Sequence, residues 1–334
     1  MEQVIGKAIV NPNVKPDKRF SLRSVMLGAA ILLSAAVSVV FYQYWMEMSA
    51  IRQRVLSVSE VLSTDFGDIE YTVRGEGAPV LFIHGAGGGY DQGLLFGKMM
   101  LRGDFKVIAV SRFGYLRSPV PADSSTKAQA ALYSALLDHL RVEKVAVIAG
   151  SGGGPSGLQF AHDFPDRTTA LVLFSAVTKA MPPGEQNASQ INIIQTIQRS
   201  DFLYWLVARA FQPQFLEMLG IPADVYKGFT PVEKEMAQQM LDVMHPMSQR
   251  FTGSSREGEQ KLLDSASMGE ISAPTLILHA KDDKLVVYEH AENAHKGIKQ
   301  SKLVPFETGG HGLLAQMNSV REHVSSILAQ EASK

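Results

Sequence analysis

Polar side chains at three places in this chain stand where they could carry nucleophilic catalysis. Ser151 lies in Gly150-Ser151-Gly152-Gly153-Gly154, directly after the apolar run 145–148. Asp282 and Asp283 lie in His279-Ala280-Lys281-Asp282-Asp283-Lys284-Leu285-Val286, after the apolar run 274–278. His311 sits among Gly309, Gly310 and Gly312, after the run 302–306. A hydroxyl becomes a useful nucleophile when a neighbouring base takes its proton. Imidazole is the base suited to neutral pH, and a carboxylate can hold it in the productive tautomer. The three residue types together suggest acyl transfer, provided the fold brings them to one place.

The elements that must position them can be read from the hydrophobic pattern. A short apolar run rich in β-branched residues predicts a strand buried on both faces, and the spacing after the glycines predicts a helix over 158–164. Strand, crowded corner, helix is the context that forces a serine into a strained backbone and lifts its hydroxyl clear of the sheet. Strand and helix nearly touch at such a corner, so small neighbours are needed; Ala149 and Gly153 supply them. Further strands are predicted at 58–62, 69–73, 79–83, 106–110, 170–174, 274–278 and 302–306, with helices at 92–101 and 125–140. Between 177 and 268 the alternation stops. That stretch is rich in Met, Gln and aromatic residues, with helical spacing in 191–197, 202–219 and 232–244, and Pro182-Pro183 among its punctuation.

The small-x-Ser-x-small corner resembles the nucleophile elbow of the α/β-hydrolase fold, and further segments over residues 55–330 carry the likeness. Ser111-Arg112-Phe113-Gly114-Tyr115-Leu116-Arg117-Ser118 is similar to that family's turn of acid, x, x, Gly, x, Gly, x, Ser, with Ser111 replacing the acid and Leu116 a glycine. The segment 279–286 resembles its acid turn, with Ala280 replacing a glycine. The resemblance implies a mostly parallel eight-stranded sheet with helices on both faces and a helical cap inserted after the sixth strand. It implies Ser151, Asp283 and His311 as nucleophile, orienting acid and base, with Asp282 the weaker candidate for the acid. It also implies the backbone N–H groups of Ala86, in His84-Gly85-Ala86-Gly87-Gly88-Gly89, and of Gly152 as the oxyanion donors. His84 is expected to be structural beneath its turn, and His279 to support the acid turn. His162, His290, His295 and His323, on predicted helices, are expected at the surface, and Asp138 and His139 in solvent.

Composition limits the alternatives. The 334 residues include no Cys and carry a formal net charge of −1. Disulfides, thiolate metal sites and cysteine nucleophiles are excluded, and there is no charge footprint for nucleic acid. A dinucleotide fingerprint at Gly85-x-Gly87 fails because Tyr90 stands where a third small residue is needed and no acid ends the next strand. No cofactor or metal is implied.

Residues 25–45 run without a charge. At about 1.5 Å per residue they span roughly 31 Å, a bilayer core. Phe41, Tyr42, Tyr44 and Trp45 crowd the far end as interfacial aromatics do. Lys7, Lys15, Lys18, Arg19 and Arg23 precede the span, so residues 1–24 are expected in the cytoplasm and the large domain beyond the membrane. Bulky aromatics in place of a small-residue cleavage site favour an uncleaved anchor. Ala30, Ser34 and Ser38 form a small-residue stripe through which two anchors could pair as a homodimer. The expected division is a tail 1–24, an anchor 25–45, a helical stalk or linker 46–56, a core in two parts (57–177 and 271–334) and a cap 178–270. Phe202, Trp205, Phe211, Phe215, Met218, Met236, Met240, Met244 and Met247 make the cap apolar; most should pack it to the core, and a few could line an acyl pocket.

The expected function is hydrolysis of a carboxylic ester, or related acyl bond, of a small apolar substrate. Carbon–carbon, thioester or amide hydrolysis and cofactor-free perhydrolysis could run on the same three residues. A ligand-binding or sensor protein with little turnover is the reading from another class.

Overall fold

Eight short strands, most of them apolar on both faces, build one sheet. They are β1 (Glu60–Thr64), β2 (Gly67–Arg74), β3 (Ala78–Ile83), β4 (Phe105–Val110), β5 (Val145–Gly150), β6 (Thr168–Phe174), β7 (Thr275–Ala280) and β8 (Ser301–Phe306). Their order is β1-β2-β4-β3-β5-β6-β7-β8. β1 pairs with β2, and β2 with β4, antiparallel; every other pairing is parallel. The computed structural model describes residues 22–180 and 188–332. The basic residues Lys7, Lys15, Lys18 and Arg19, and Pro182-Pro183, lie outside the described residues.

Side chains on a strand alternate between faces, and the central strands feed two cores. Val80 and Phe82 of β3 and Ala146 and Ile148 of β5 join a cluster on one face. Leu81, Ile83, Val145, Val147 and Ala149 join a second cluster on the other. α2 (Tyr90–Met100) and a C-terminal helix (Met317–Ala332) cover the first face; α3 (Thr126–His139) and α4 (Gly154–Asp163) cover the second. This double burial is why the parallel strands read as unbroken apolar runs.

The first helix, α1, is longer than expected: it runs from Leu22 to Ser57. By length and composition it could cross a membrane. The chain divides into two compact units at Glu47/Met48. The segment expected as a helical stalk or linker is helical, and from Met48 onward it belongs to the larger unit. Met48 and Val55 are each 2% exposed, and the carbonyl of Val55 accepts the buried Tyr90 hydroxyl at 2.7 Å. This continuation of the helix moves the first strand from the expected 58–62 to Glu60–Thr64.

Between β6 and β7 lies a helical insertion: α5 (Ala188–Gln198), α6 (Asp201–Ala210), α7 (Gln212–Met218), α8 (Ala223–Lys227), α9 (Pro231–Asp242) and the single turns α10 (Phe251–Ser254) and α11 (Ser265–Met268). Local signals start its helices: Ser200 caps α6, and Thr230 with Glu233 forms a capping box ahead of α9. Ion pairs tie it to the rest of the larger unit, two of them through Arg250 and Arg52. Arg250, fully buried, grips Asp91 of α2 with two bonds of 2.9 and 2.7 Å. Arg52 of α1 reaches Asp201 at 3.1 Å. After the insertion, α12 (Glu289–Gly297) and the C-terminal helix, α13, complete the layers.

Candidate active site

The strand-to-helix corner after β5 is as tight as its glycines suggest. Ser151 has φ 47°, the left-handed region that costs a side-chain-bearing residue energy. A Cβ on Gly153 would lie 2.6 Å from the His84 carbonyl oxygen and 2.7 Å from that of Ile83. A Cβ on Gly157 would lie 2.5 Å from that of Ala149. Only glycines let α4 start this close to β3 and β5.

Two loops at the carboxyl ends of later strands meet this corner. The Ser151 hydroxyl faces Nε2 of His311 at 3.1 Å, and Nδ1 of His311 donates to Asp283 Oδ2 at 2.8 Å. These partners assign the proton to Nδ1 and leave Nε2 to accept. Asp283 is buried, and its other oxygen accepts the N–H groups of Leu285 and Val286 at 2.9 and 3.0 Å. Burial pushes its carboxyl up, but His311 and His279 outweigh that, and the group is held well below the ordinary aspartate range. His279 is also placed as expected: its Nε2 donates to the Val286 carbonyl at 2.6 Å and lies 3.4 Å from Asp283. The adjacent Asp282 does something else. Its carboxylate accepts the N–H groups of Gly309 and Gly310 at 3.2 and 2.8 Å, so it pins the loop that carries His311.

The loop after β3 closes the other side. A Cβ on Gly85 would lie 2.9 Å from that of Ser151, and Ala86 and Ser151 line one cavity. His84 is fully buried below this loop: Nδ1 donates to the Gly85 carbonyl at 2.6 Å and Nε2 accepts the Arg112 N–H at 2.9 Å. Burial, reinforced by Arg112, lowers its pKa well below the usual histidine value, and the ring stays neutral.

The cavity over Ser151 has a volume of about 380 Å³. Phe96, Phe174, Leu219, Met240, Met244 and Leu285 form its apolar wall, and His311 faces it. Met240 and Met244 are thus the insertion residues, of those singled out by sequence, that reach the cavity. Phe215 and Met247 are buried in packing, and Phe211 is exposed.

Sequence reasoning missed one cluster here. Glu257, from the insertion, receives Arg112 and Tyr115 on Oε1. Gln260 donates to its Oε2 at 2.6 Å and to the Gly152 carbonyl at 3.1 Å. Burial works against the Arg112 charge, yet Glu257 more than offsets it and raises that pKa further. No local pattern marks Glu257; its partner Arg112 lies 145 residues away in sequence. The acid missing from the turn at Ser111 is also made good from elsewhere. Glu70 of β2, fully buried, accepts the Ser111 hydroxyl at 3.0 Å and the Arg117 guanidinium at 2.7 Å. Leu116 takes φ 51° where a glycine would be unstrained.

His290 corrects an expectation. It is buried rather than at the surface, and its Nδ1 accepts the N–H of Thr178 at 3.1 Å, where the chain leaves the sheet for the insertion. Among the described residues no group of three or more His, Cys, Asp or Glu side chains could hold a metal ion.

A sequence profile of the alpha/beta hydrolase fold matches residues 78–316. The chain belongs to this family. An uncharacterized hydrolase of Bacillus subtilis, YcgS, is 29% identical over 272 residues, which cover 75% of this chain and 91% of that protein. The 2-hydroxy-6-oxo-2,4-heptadienoate hydrolase of Pseudomonas putida is 26% identical over 261 residues, 75% of this chain and 90% of its own. Among solved structures, an alpha/beta hydrolase fold protein from Nakamurella multipartita superposes with a TM-score of 0.67 at 25% identity, over 83% of this chain and all of its own. The family's other members among these relatives include carbon–carbon bond hydrolases and esterases.

Proposed function

We propose that this protein is a serine hydrolase that cleaves a carboxylic ester, or a related acyl bond, of a small apolar substrate. The observation that carries the reading is the continuous path from Ser151 to His311 to Asp283, with contacts of 3.1 and 2.8 Å, beside an apolar cavity. Ser151 Oγ attacks the carbonyl carbon while His311 Nε2 takes its proton. Asp283 holds the imidazole in the required tautomer and stabilises the imidazolium that forms. The N–H groups of Ala86 and Gly152 receive the oxyanion, each donor worth about 3 kcal/mol in the transition state. The imidazolium returns its proton to the leaving group, and water then releases the acyl enzyme by the same steps in reverse. The insertion between β6 and β7 acts as a cap over the acyl pocket. α1 holds the enzyme on a membrane, with the catalytic domain on the extracytoplasmic side.

Ser151→Ala should abolish both labelling by a fluorophosphonate probe and turnover across an ester panel of graded chain length; survival of either removes Ser151 from the chemistry. A compartment-dependent reporter fused after Lys334 tests the orientation. Carbon–carbon bond hydrolysis is the second reading, favoured by the dienoate hydrolases among the relatives. Turnover of such a dienoate with no ester activity would select it.

A further inference from the structure

Acidic and basic side chains are unequally placed at the cavity beside Ser151. Among the described residues that line it there is no Lys or Arg, while Glu257, a carboxylate, is part of its wall. That carboxylate stands next to the nucleophile corner: a Cβ on Gly152 would lie 2.4 Å from Glu257 Oε2. Its counter-charge lies behind it. Arg112 is buried and lines a separate polar cavity of about 310 Å³, to which Glu257 also contributes. Arg112 reaches both carboxylate oxygens, Nη2 on Oε1 and Nη1 on Oε2 at 3.3 Å, so the acidic member of the pair borders the Ser151 cavity and the basic member does not. Tyr115 and Gln260 fix the carboxylate from the sides, so its position is set before any ligand arrives. Stability alone does not call for such an arrangement, because a buried ion pair is often matched or bettered by apolar residues of similar volume.

We propose that Glu257 is the specificity-determining group of this site. It favours ligands that present an ammonium or hydroxyl donor near the reacting carbonyl, and it turns away ligands that present a carboxylate there. The selection acts on any ligand of the cavity, and its bearing on a substrate rests on the Ser151 reading above. The dienoates named for several relatives are carboxylates, and no described cation in this cavity is placed to pair with one.

Three matched six-carbon probes test this on the full-length protein in detergent: hexylammonium, hexanol and hexanoate, titrated by calorimetry into wild type and variants. Taking each probe as a ratio of variant to wild type cancels its partitioning into micelles. In Glu257→Gln the affinity for hexylammonium should fall about tenfold and that for hexanoate rise about tenfold, with hexanol changing less than about threefold. Glu257→Asp, which keeps the charge, should keep the wild-type order. The double variant Arg112→Gln, Glu257→Gln removes both charges and should flatten the order, which covers the case in which an unpaired Arg112 prevents folding of the single variant. Equal shifts for all three probes, or none, would overturn the proposal. If wild type hydrolyses no ester while the probe order holds, the acyl-transfer reading fails and the charge selection stands. If esters with anionic and cationic acyl groups turn over alike in wild type and Glu257→Gln, the charge selection fails and acyl transfer stands.

Discussion

Adjacent acids with different partners make Asp283→Asn and Asp282→Asn a discriminating pair. In Asp283→Asn the amide oxygen can still accept from Leu285 and Val286, as Oδ1 does at 2.9 and 3.0 Å. The amide nitrogen then faces Nδ1 of His311, which lay 2.8 Å from Oδ2. Two donors cannot meet, so the imidazole moves its proton to Nε2 and loses the lone pair that accepts from Ser151. The fold keeps its backbone contacts while the base is disabled. In serine proteases the equivalent change lowers kcat about 10⁴-fold, roughly 5 kcal/mol in the barrier. Asp282→Asn should instead keep the bond to Gly310 and lose that to Gly309. It should cost about 1.5–3 kcal/mol in stability and less than about tenfold in rate. The assay is the second-order rate of fluorophosphonate labelling and ester kcat for both variants, beside thermal melts. The Asp283 carboxyl is held below its ordinary range, so its stabilising effect is complete above an unfolded aspartate's pKa of about 3.9. It is lost as pH falls from there through the lowered folded value; Asp283→Asn should flatten that acid limb. If Asp283→Asn stays within tenfold of wild type, or if Asp282→Asn is the more damaging to rate, the assignment of orienting acid is wrong.

Three further outcomes follow from packing and burial. Gly153→Ala drives a methyl to 2.6 and 2.7 Å from two carbonyl oxygens of the backbone; a melt should show a loss of about 3 kcal/mol or more, with labelling of Ser151 slowed as the corner shifts. Removing residues 1–47 should leave a folded domain with an unchanged melt. Removing 1–57 also strips Met48, Val55 and the acceptor of the Tyr90 hydroxyl, at about 3–6 kcal/mol for two buried apolar side chains. His290, its pKa lowered to about 4 chiefly by burial, keeps its stabilising effect above pH 6.5 and loses it as pH falls from 6.5 towards 4. His290→Gln, which retains an acceptor for Thr178, should reduce the pH slope of stability in that window by about one proton.

The sheet was readable because a strand covered on both faces has no polar side to disguise it. The three residues that meet at the site were readable because each follows such a strand within a few positions. What separates Asp282 from Asp283 is where each carboxylate points, and that depends on the closing loop at 309–311, outside any local pattern. Glu257 sits in a polar stretch, Ser254-Ser255-Arg256-Glu257-Gly258-Glu259, that reads as solvent-facing until Arg112 is brought beneath it. The acid that serves Ser111 comes from Glu70, on a neighbouring strand 41 residues earlier. Two further signals lie in the sequence. Met48, Ile51 and Val55 share one helical face, which marks that part of α1 as packed. His290 shares a face with Ala291 and Ala294, both buried, which marks it as inward.

His311 reaches Ser151 from beyond the insertion and the last two strands. During synthesis, every nascent chain that stops short of His311 carries an ordinary, unactivated alcohol at its corner. Release at any point before β8 and its following loop leaves Ser151 without the imidazole of His311. On the proposed acyl-transfer reading, the order in which the ribosome delivers the parts withholds the base from Ser151 until β8 and its following loop are made.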